Sequence, residues 1–219
     1  IDASAASGGD IGGNSSFIWA VEDTNVTPGS ISLNQMDVTG FSDFTFSIDM
    51  LAHHFEDWDS TDELLITYSV DGGVFKNLLS VQDIDAGDDF NTPAALDTDF
   101  NGEGECGVGT TLPALTTGTT NGCTVSNNQF ETFSSSTITL NGNTTLDIVL
   151  TFNGLTAGDE GIYLDNISVD GTSGGTPSTE VNFIGASATV SEAAGLYELE
   201  FTITNEDAVN ATSFDVVLT

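Results

Sequence analysis

The sequence predicts an all-β chain, and three observations predict it. Apolar residues alternate with polar ones in several short segments. Val, Ile, Thr and Phe, which suit a pleated and half-buried surface, supply most of those segments. Gly, Asn and Asp punctuate them, and no segment repeats apolar residues at helical spacing. Many short strands between turns point to a β-sandwich or jelly roll.

Taken in order, residues 1–16 are rich in Gly, Ser and Ala and read as a lead-in. Phe17-Ile18-Trp19-Ala20-Val21 is the first apolar run, and residues 31–38 form a second candidate strand. Phe44, Phe46, Ile48 and Met50 alternate with Thr45, Ser47 and Asp49, the pattern of a strand with one buried face. Leu64, Ile66, Tyr68 and Val70 repeat it, and Asp71-Gly72-Gly73 turns the chain into a returning arm over residues 74–81. Residues 82–128 break the rhythm with Asp, Gly, Thr and Asn, and are expected to form a long loop that is functional or cross-linked. Alternation resumes at 129–133, 136–140, 146–152 and 161–169. In the last of these, Ile162 and Leu164 face one way, and Tyr163, Asp165 and Ile167 the other. Residues 171–179 read as a linker by composition. A new pattern starts at Glu180 with Val181 and Phe183, and continues through Tyr197, Leu199, Phe201 and Ile203. Two parts are therefore expected, one over 17–170 and one begun over 180–219.

Charge excludes whole classes of partner. The 219 residues carry 34 acids against one Lys or Arg, for a net charge of −33. The one cation is Lys76. Nucleic acids and anionic membranes are bound through Lys and Arg, so this surface repels them. No run of about 18 apolar residues exists to span a membrane as a helix. Self-repulsion at this density calls for screening by salt or by bound Ca²⁺, which suits a saline extracellular setting. Cys106 and Cys123, 17 positions apart, are the only cysteines and are expected to pair in an oxidising compartment. The first residues resemble a mature or truncated start. The last ones stop within a strand-like pattern, so a longer protein is expected.

Two resemblances accompany these patterns. The elements IWAVEDTN, ISLNQMDVTGFSDFTFSIDM, DELLITYSVDGGVFKNLL, FNTPAALDTDFNGEG and GIYLDNISVDG occur in that order between residues 17 and 170. Together they resemble the jelly-roll modules of large secreted proteins of marine Bacteroidetes-type bacteria. There such modules accompany lamin-tail domains, Calx-beta repeats or an extracellular nuclease domain. YLDNISVDG is also similar to the last strand of MAM-type and cleaved-adhesin jelly rolls. Residues 180–219 resemble the opening of a Calx-beta domain, an immunoglobulin-like sandwich, through EVNFIGASATVSEAAGLYELEFTIT with Ser191, Glu192 and Gly195.

Three groups of residues could carry chemistry. Asp97, Asp99, Asn101, Glu103 and Glu105 stand at alternate positions with Gly102 sixth, as in the first half of an EF-hand-type calcium loop. Val108 occupies the twelfth position, where that loop needs a bidentate acid. Another acid, from Asp83, Asp85, Asp88 or Asp89, would have to complete the shell. A Ca²⁺ site and a solvated acidic turn both account for the pattern. Glu22, Asp23 and Asp165 form a second candidate, because the jelly-roll resemblance implies a structural Ca²⁺ between an early loop and the last strand. The alternative is a carboxylate capping a turn. Trp58 with Glu56 and Asp57 forms the third: the ring could stack on a sugar while the acids accept from its hydroxyls. The alternative is a Trp packed over the end of the sandwich.

No catalytic constellation emerges. His53 and His54 are adjacent, and on a strand adjacent side chains point to opposite faces. With both histidines in one segment, no nucleophile triad can be assembled. The sequence thus reads as a non-catalytic, calcium-stabilised extracellular module for adhesion, carbohydrate binding or display, with glycans or other copies of a surface protein as partners. Two alternatives stand beside it: an accessory module of a secreted nuclease or other hydrolase whose catalytic domain lies elsewhere, and a subunit of an extracellular fibre or surface layer.

Overall fold

The computed structural model describes residues 18–22, 28–85, 87, 92–157 and 160–174, and the backbone of 180–183 and 201–204. The chain divides into two units, 1–174 and 175–219. Among the described residues the first holds twelve strands: β1 (Trp19–Val21), β2 (Gly29–Asp37), β3 (Phe41–Ala52), β4 (Glu63–Val70), β5 (Lys76–Asp83), β6 (Ala94–Leu96), β7 (Gly118–Thr120), β8 (Cys123–Val125), β9 (Glu131–Ser134), β10 (Ile138–Thr139), β11 (Thr145–Asn153) and β12 (Ile162–Ser173). No helix occurs among the described residues.

Two antiparallel sheets form a sandwich. One runs β1-β12-β3-β10, with β9 also on β3; the other runs β2-β11-β4-β5-β6. The alternating stripes face each other across the gap. Phe44, Phe46, Ile48 and Met50 from β3 meet Leu64 and Ile66 from β4 and Leu146, Ile148, Leu150 and Phe152 from β11 in one continuous core. A smaller cluster of Ile18, Leu51 and Tyr163 lies on the other face of the first sheet. The turns use the residues expected of them. Asp71-Gly72 leads from β4 to β5 and Asn121-Gly122 joins β7 to β8, each with positive φ at both positions (48° and 67°; 49° and 78°). That geometry matches the twist of a hairpin.

Two departures from the expected pattern bear on residues singled out above. The segment 82–128 is not one long loop: it contains β6 and the β7–β8 hairpin. β6 is Ala94-Ala95-Leu96, buried throughout, so no period marks it. The chain then doubles back along its open edge, with Leu96 N–H donating to Thr110 O and Leu112 N–H to Ala94 O, both at 2.9 Å. In β12 a bulge falls between Asp165 and Ser168, with Asn166 at φ 46°. The extra residue reverses the alternation. Ile167 therefore packs against the main core with Ile162 and Leu164, not on the Tyr163 face.

In the second unit, β13 (Glu180–Phe183) pairs antiparallel with β14 (Phe201–Thr204). Ser191, Glu192 and Gly195 lie outside the described residues.

Candidate metal centre

Asp97 follows β6 directly, and its backbone N–H still donates to Ser80 O at 2.9 Å. The chain then folds into a tight turn, with Phe100 at φ 57° and Gly102 at φ 92°. Gly102 is the sixth position of the acidic motif, where a backbone without a Cβ is needed. Asp97 organises the turn from within: Oδ1 accepts from Asn101 N–H at 3.1 Å and Oδ2 from Gly102 N–H at 2.8 Å. Asp99 Oδ1 also accepts from Asn101 N–H, and Glu105 Oε2 accepts from Thr98 N–H at 2.6 Å.

These bonds draw three carboxylates together. Oxygens of Asp97, Asp99 and Glu105 lie within 4.8 Å of one another. Calcium–oxygen distances of about 2.3–2.6 Å place two ligands of one ion no more than about 5 Å apart, so the group fits such an ion. Hard carboxylate donors also suit calcium or magnesium rather than a soft metal. Of the five residues in the motif, positions one, three and nine meet. Asn101 serves through its backbone, and Glu103 is exposed and outside the trio. Of the acids expected to complete the shell, Asp83 turns to the opposite face of its sheet and Asp85 is outside the trio, while Asp88 and Asp89 lie outside the described residues. Cys106 follows at once and is disulfide-bonded to Cys123 on β8, which ties the turn to the β7–β8 hairpin.

Strand register sets Glu22 and Asp165 apart. Val21 pairs with Ile162 and Trp19 with Leu164, so Glu22 lies beside Gly161 and Asp165 is four residues further along β12. At about 3.3 Å per residue, that is roughly 13 Å. Asp165 instead sits at the bulge, opposite Asp49, and accepts from Asn166 N–H at 2.8 Å. Asp23 lies outside the described residues.

Trp58 is corrected as well. It is 0 % exposed and belongs to the main core, so its ring has no face to offer a sugar. Phe55 is folded down too; a Cβ added at Gly118 would lie 2.2 Å from its ring. Asp57 is engaged with His54, Oδ2 to Nδ1 at 3.1 Å. Glu56 is half-exposed.

A second acidic group was not anticipated from the sequence. Oxygens of Asp59, Asp62 and Glu160 also lie within 4.8 Å of one another. Its members come from the approach to β4 and the approach to β12, about a hundred positions apart, so no local spacing marks them. The faint signal is Asp62, a carboxylate two residues ahead of the Leu64–Ile66 apolar stripe, whose face it shares.

No protein-family model matches the chain, and no curated protein matches it.

Proposed function

We propose that the chain is a non-catalytic, calcium-stabilised extracellular module of a larger secreted or surface protein, serving attachment or display. The observation that carries this reading is the Asp97–Asp99–Glu105 trio, held on a preformed turn by four backbone N–H bonds and followed at once by a disulfide. An ion and a covalent link are two ways of fixing a long segment that has little core of its own, and a disulfide suits an oxidising compartment. The net charge of −33 fits the same setting, where divalent cations offset self-repulsion. With Trp58 buried, sugar stacking no longer supports a glycan-binding version, and attachment or display through other surfaces remains.

The test is a thermal melt in millimolar Ca²⁺ and in excess chelator, both at high NaCl so that general screening is constant. Calcium at about 100 times its Kd would add roughly 2.7 kcal/mol. For a domain of this size that is a Tm gain of roughly 5–11 °C. Asp97→Asn and Glu105→Gln should each reduce the gain. Equal stabilisation by Mg²⁺, or a melt unchanged by chelation, overturns the calcium assignment.

A further inference from the structure

The second acidic group sits where three strands of one sheet end. In the β4–β5 pair Glu63 faces Gln82, and in the β4–β11 pair it faces Asn153. One residue further, Asp62 stands opposite Asp83 and beside Gly154. Side chains alternate along a strand, so Asp62 shares a face with Leu64 and Ile66, and Asp83 with Val81. That is the core face. Asp62 is 1 % exposed, Asp83 0 % and Glu160 6 %. The Asp97 turn lies on the other side: Asp97 is opposite Ser80, one residue out of phase with Asp83.

Hydrogen bonds fix most of this group and leave part of it unspent. Asp62 Oδ1 accepts from Leu155 N–H at 2.6 Å and Oδ2 from Asp59 N–H at 2.9 Å. Asp59 Oδ1 takes Thr61 N–H and Oγ1–H, both at 2.7 Å, and Glu160 Oε2 takes Ala157 N–H at 2.7 Å. Asp59 Oδ2 and Glu160 Oε1 are left over by these bonds. Asp83 is the exception: both of its oxygens are buried and neither accepts a hydrogen bond of ordinary geometry, the Asp85 backbone N–H offsetting only part of the burial. A buried carboxylate with no partner is costly. Lys76, the chain's one Lys or Arg, begins β5, seven residues or about 23 Å from Asp83 along the strand.

We propose that Asp59, Asp62 and Glu160, with the unpartnered Asp83 facing them from β5, form a second site for a hard divalent cation of calcium size, which closes this end of the sandwich. The trio fits one ion by the same distance criterion as the Asp97 turn. A cation supplies the positive charge that no side chain can, and Asp83 then has a partner across the strand pair. Burial pushes Asp62 up to about 7; burial, only partly offset by the Asp85 backbone N–H and reinforced by the charges of Asp59, Asp85 and Glu103, pushes Asp83 up to about 6. Gly154 is part of the design. A Cβ there would lie 2.4 Å from Asp62 Oδ1, so only Gly lets the β11 end approach the site.

Asp83→Asn is the decisive variant, because it removes the charge, keeps the side chain's size and breaks no hydrogen bond of ordinary geometry. Ions bound per chain are counted by calorimetric titration with Ca²⁺, and the site is followed with Tb³⁺ luminescence excited through Trp, since Trp58 adjoins Asp59. The wild-type protein should bind two ions. Asp83→Asn and Glu160→Gln should each weaken one of them about tenfold or more, while Asp97→Asn weakens the other. In excess chelator Asp83→Asn should melt higher than wild type, and in saturating Ca²⁺ that advantage should disappear. If Asp83→Asn raises the melt equally with and without Ca²⁺, or leaves both ion affinities unchanged, the acids are a protonated cluster and the second site is wrong. Loss of binding in Asp97→Asn alone would uphold the first site while overturning this one.

Discussion

The two ends of the β4–β5 pair handle acid in opposite ways. At the turn end, Asp71 is exposed and well supplied. Its Oδ2 accepts from Asn143 Nδ2 at 2.7 Å, and its Oδ1 from the N–H groups of Thr144 and Thr145 at 2.9 Å and from both Thr hydroxyls. The Asn143 amide and those N–H groups hold its carboxyl well below the usual range. At the other end, Asp62 and Asp83 are buried among apolar side chains, and their carboxyls are pushed up. The chain has 34 acids, so acid density cannot separate the two ends. What separates them is the supply of donors. Donors delivered by a neighbouring loop stabilise the anion, whereas burial beside other acids demands a proton or a cation.

The sharpest way to break this contrast is at Gly154. An added Cβ would meet Asp62 Oδ1 at 2.4 Å and Thr61 O at 2.5 Å, at a φ of 66°. Gly154→Ala should cost about 3 kcal/mol or more, from steric crowding plus left-handed strain. Gly142→Ala, at φ 82° with nothing within 4 Å of its Cβ, should cost about 1–2 kcal/mol from strain alone. Urea unfolding of both variants measures the difference. Equal costs would mean that the Asp62 end is as yielding as the open turn.

Reduction of the Cys106–Cys123 bridge should cost roughly 2–4 kcal/mol, read as a lower urea midpoint in reductant. The loss should leave the Asp59–Asp62–Glu160 group intact, because none of those residues lies in the bridged loop. It should weaken ion binding at the Asp97 turn, which the bridge anchors. Equal weakening at both sites would show that the two are coupled.

The smallest effect concerns Asp71 and carries a sign. Its carboxyl is depressed in the folded state, so its stabilisation is present above the unfolded value near 3.9 and is lost as pH falls below it. Asp71→Asn should lower the Tm at pH 7 by a few degrees, and the gap between wild type and variant should narrow as pH falls from 5 to 2. A gap that does not narrow over that range would mean that Asp71 acts through turn geometry rather than through its charge.

Much of the fold was legible because burial of one face imprints a period of two. Phe44 to Met50, Leu64 to Tyr68 and Leu146 to Phe152 all face the core as their alternation indicates. The Asp97 motif was legible in part, since a tight turn brings near neighbours together and Gly102 marks where it bends. Trp58 was ambiguous, because an aromatic beside two acids looks the same whether it faces solvent or the core. Ile167 was misplaced because a bulge is a property of the strand pair: Asn166 leaves the ladder only opposite β3.

The sequence by itself determined the all-β class, the strand stripes, the hairpin turns, the acidity and the local acidic turn. Each of these depends on residues within a few positions of one another, where chain geometry alone fixes the neighbours. The tertiary structure decided the burial of Trp58, the separation of Glu22 from Asp165, and the meeting of Asp59, Asp62, Asp83 and Glu160. Those depend on register between strands distant in the chain. A shift of one residue would turn Asp62 or Asp83 to the opposite face of the sheet.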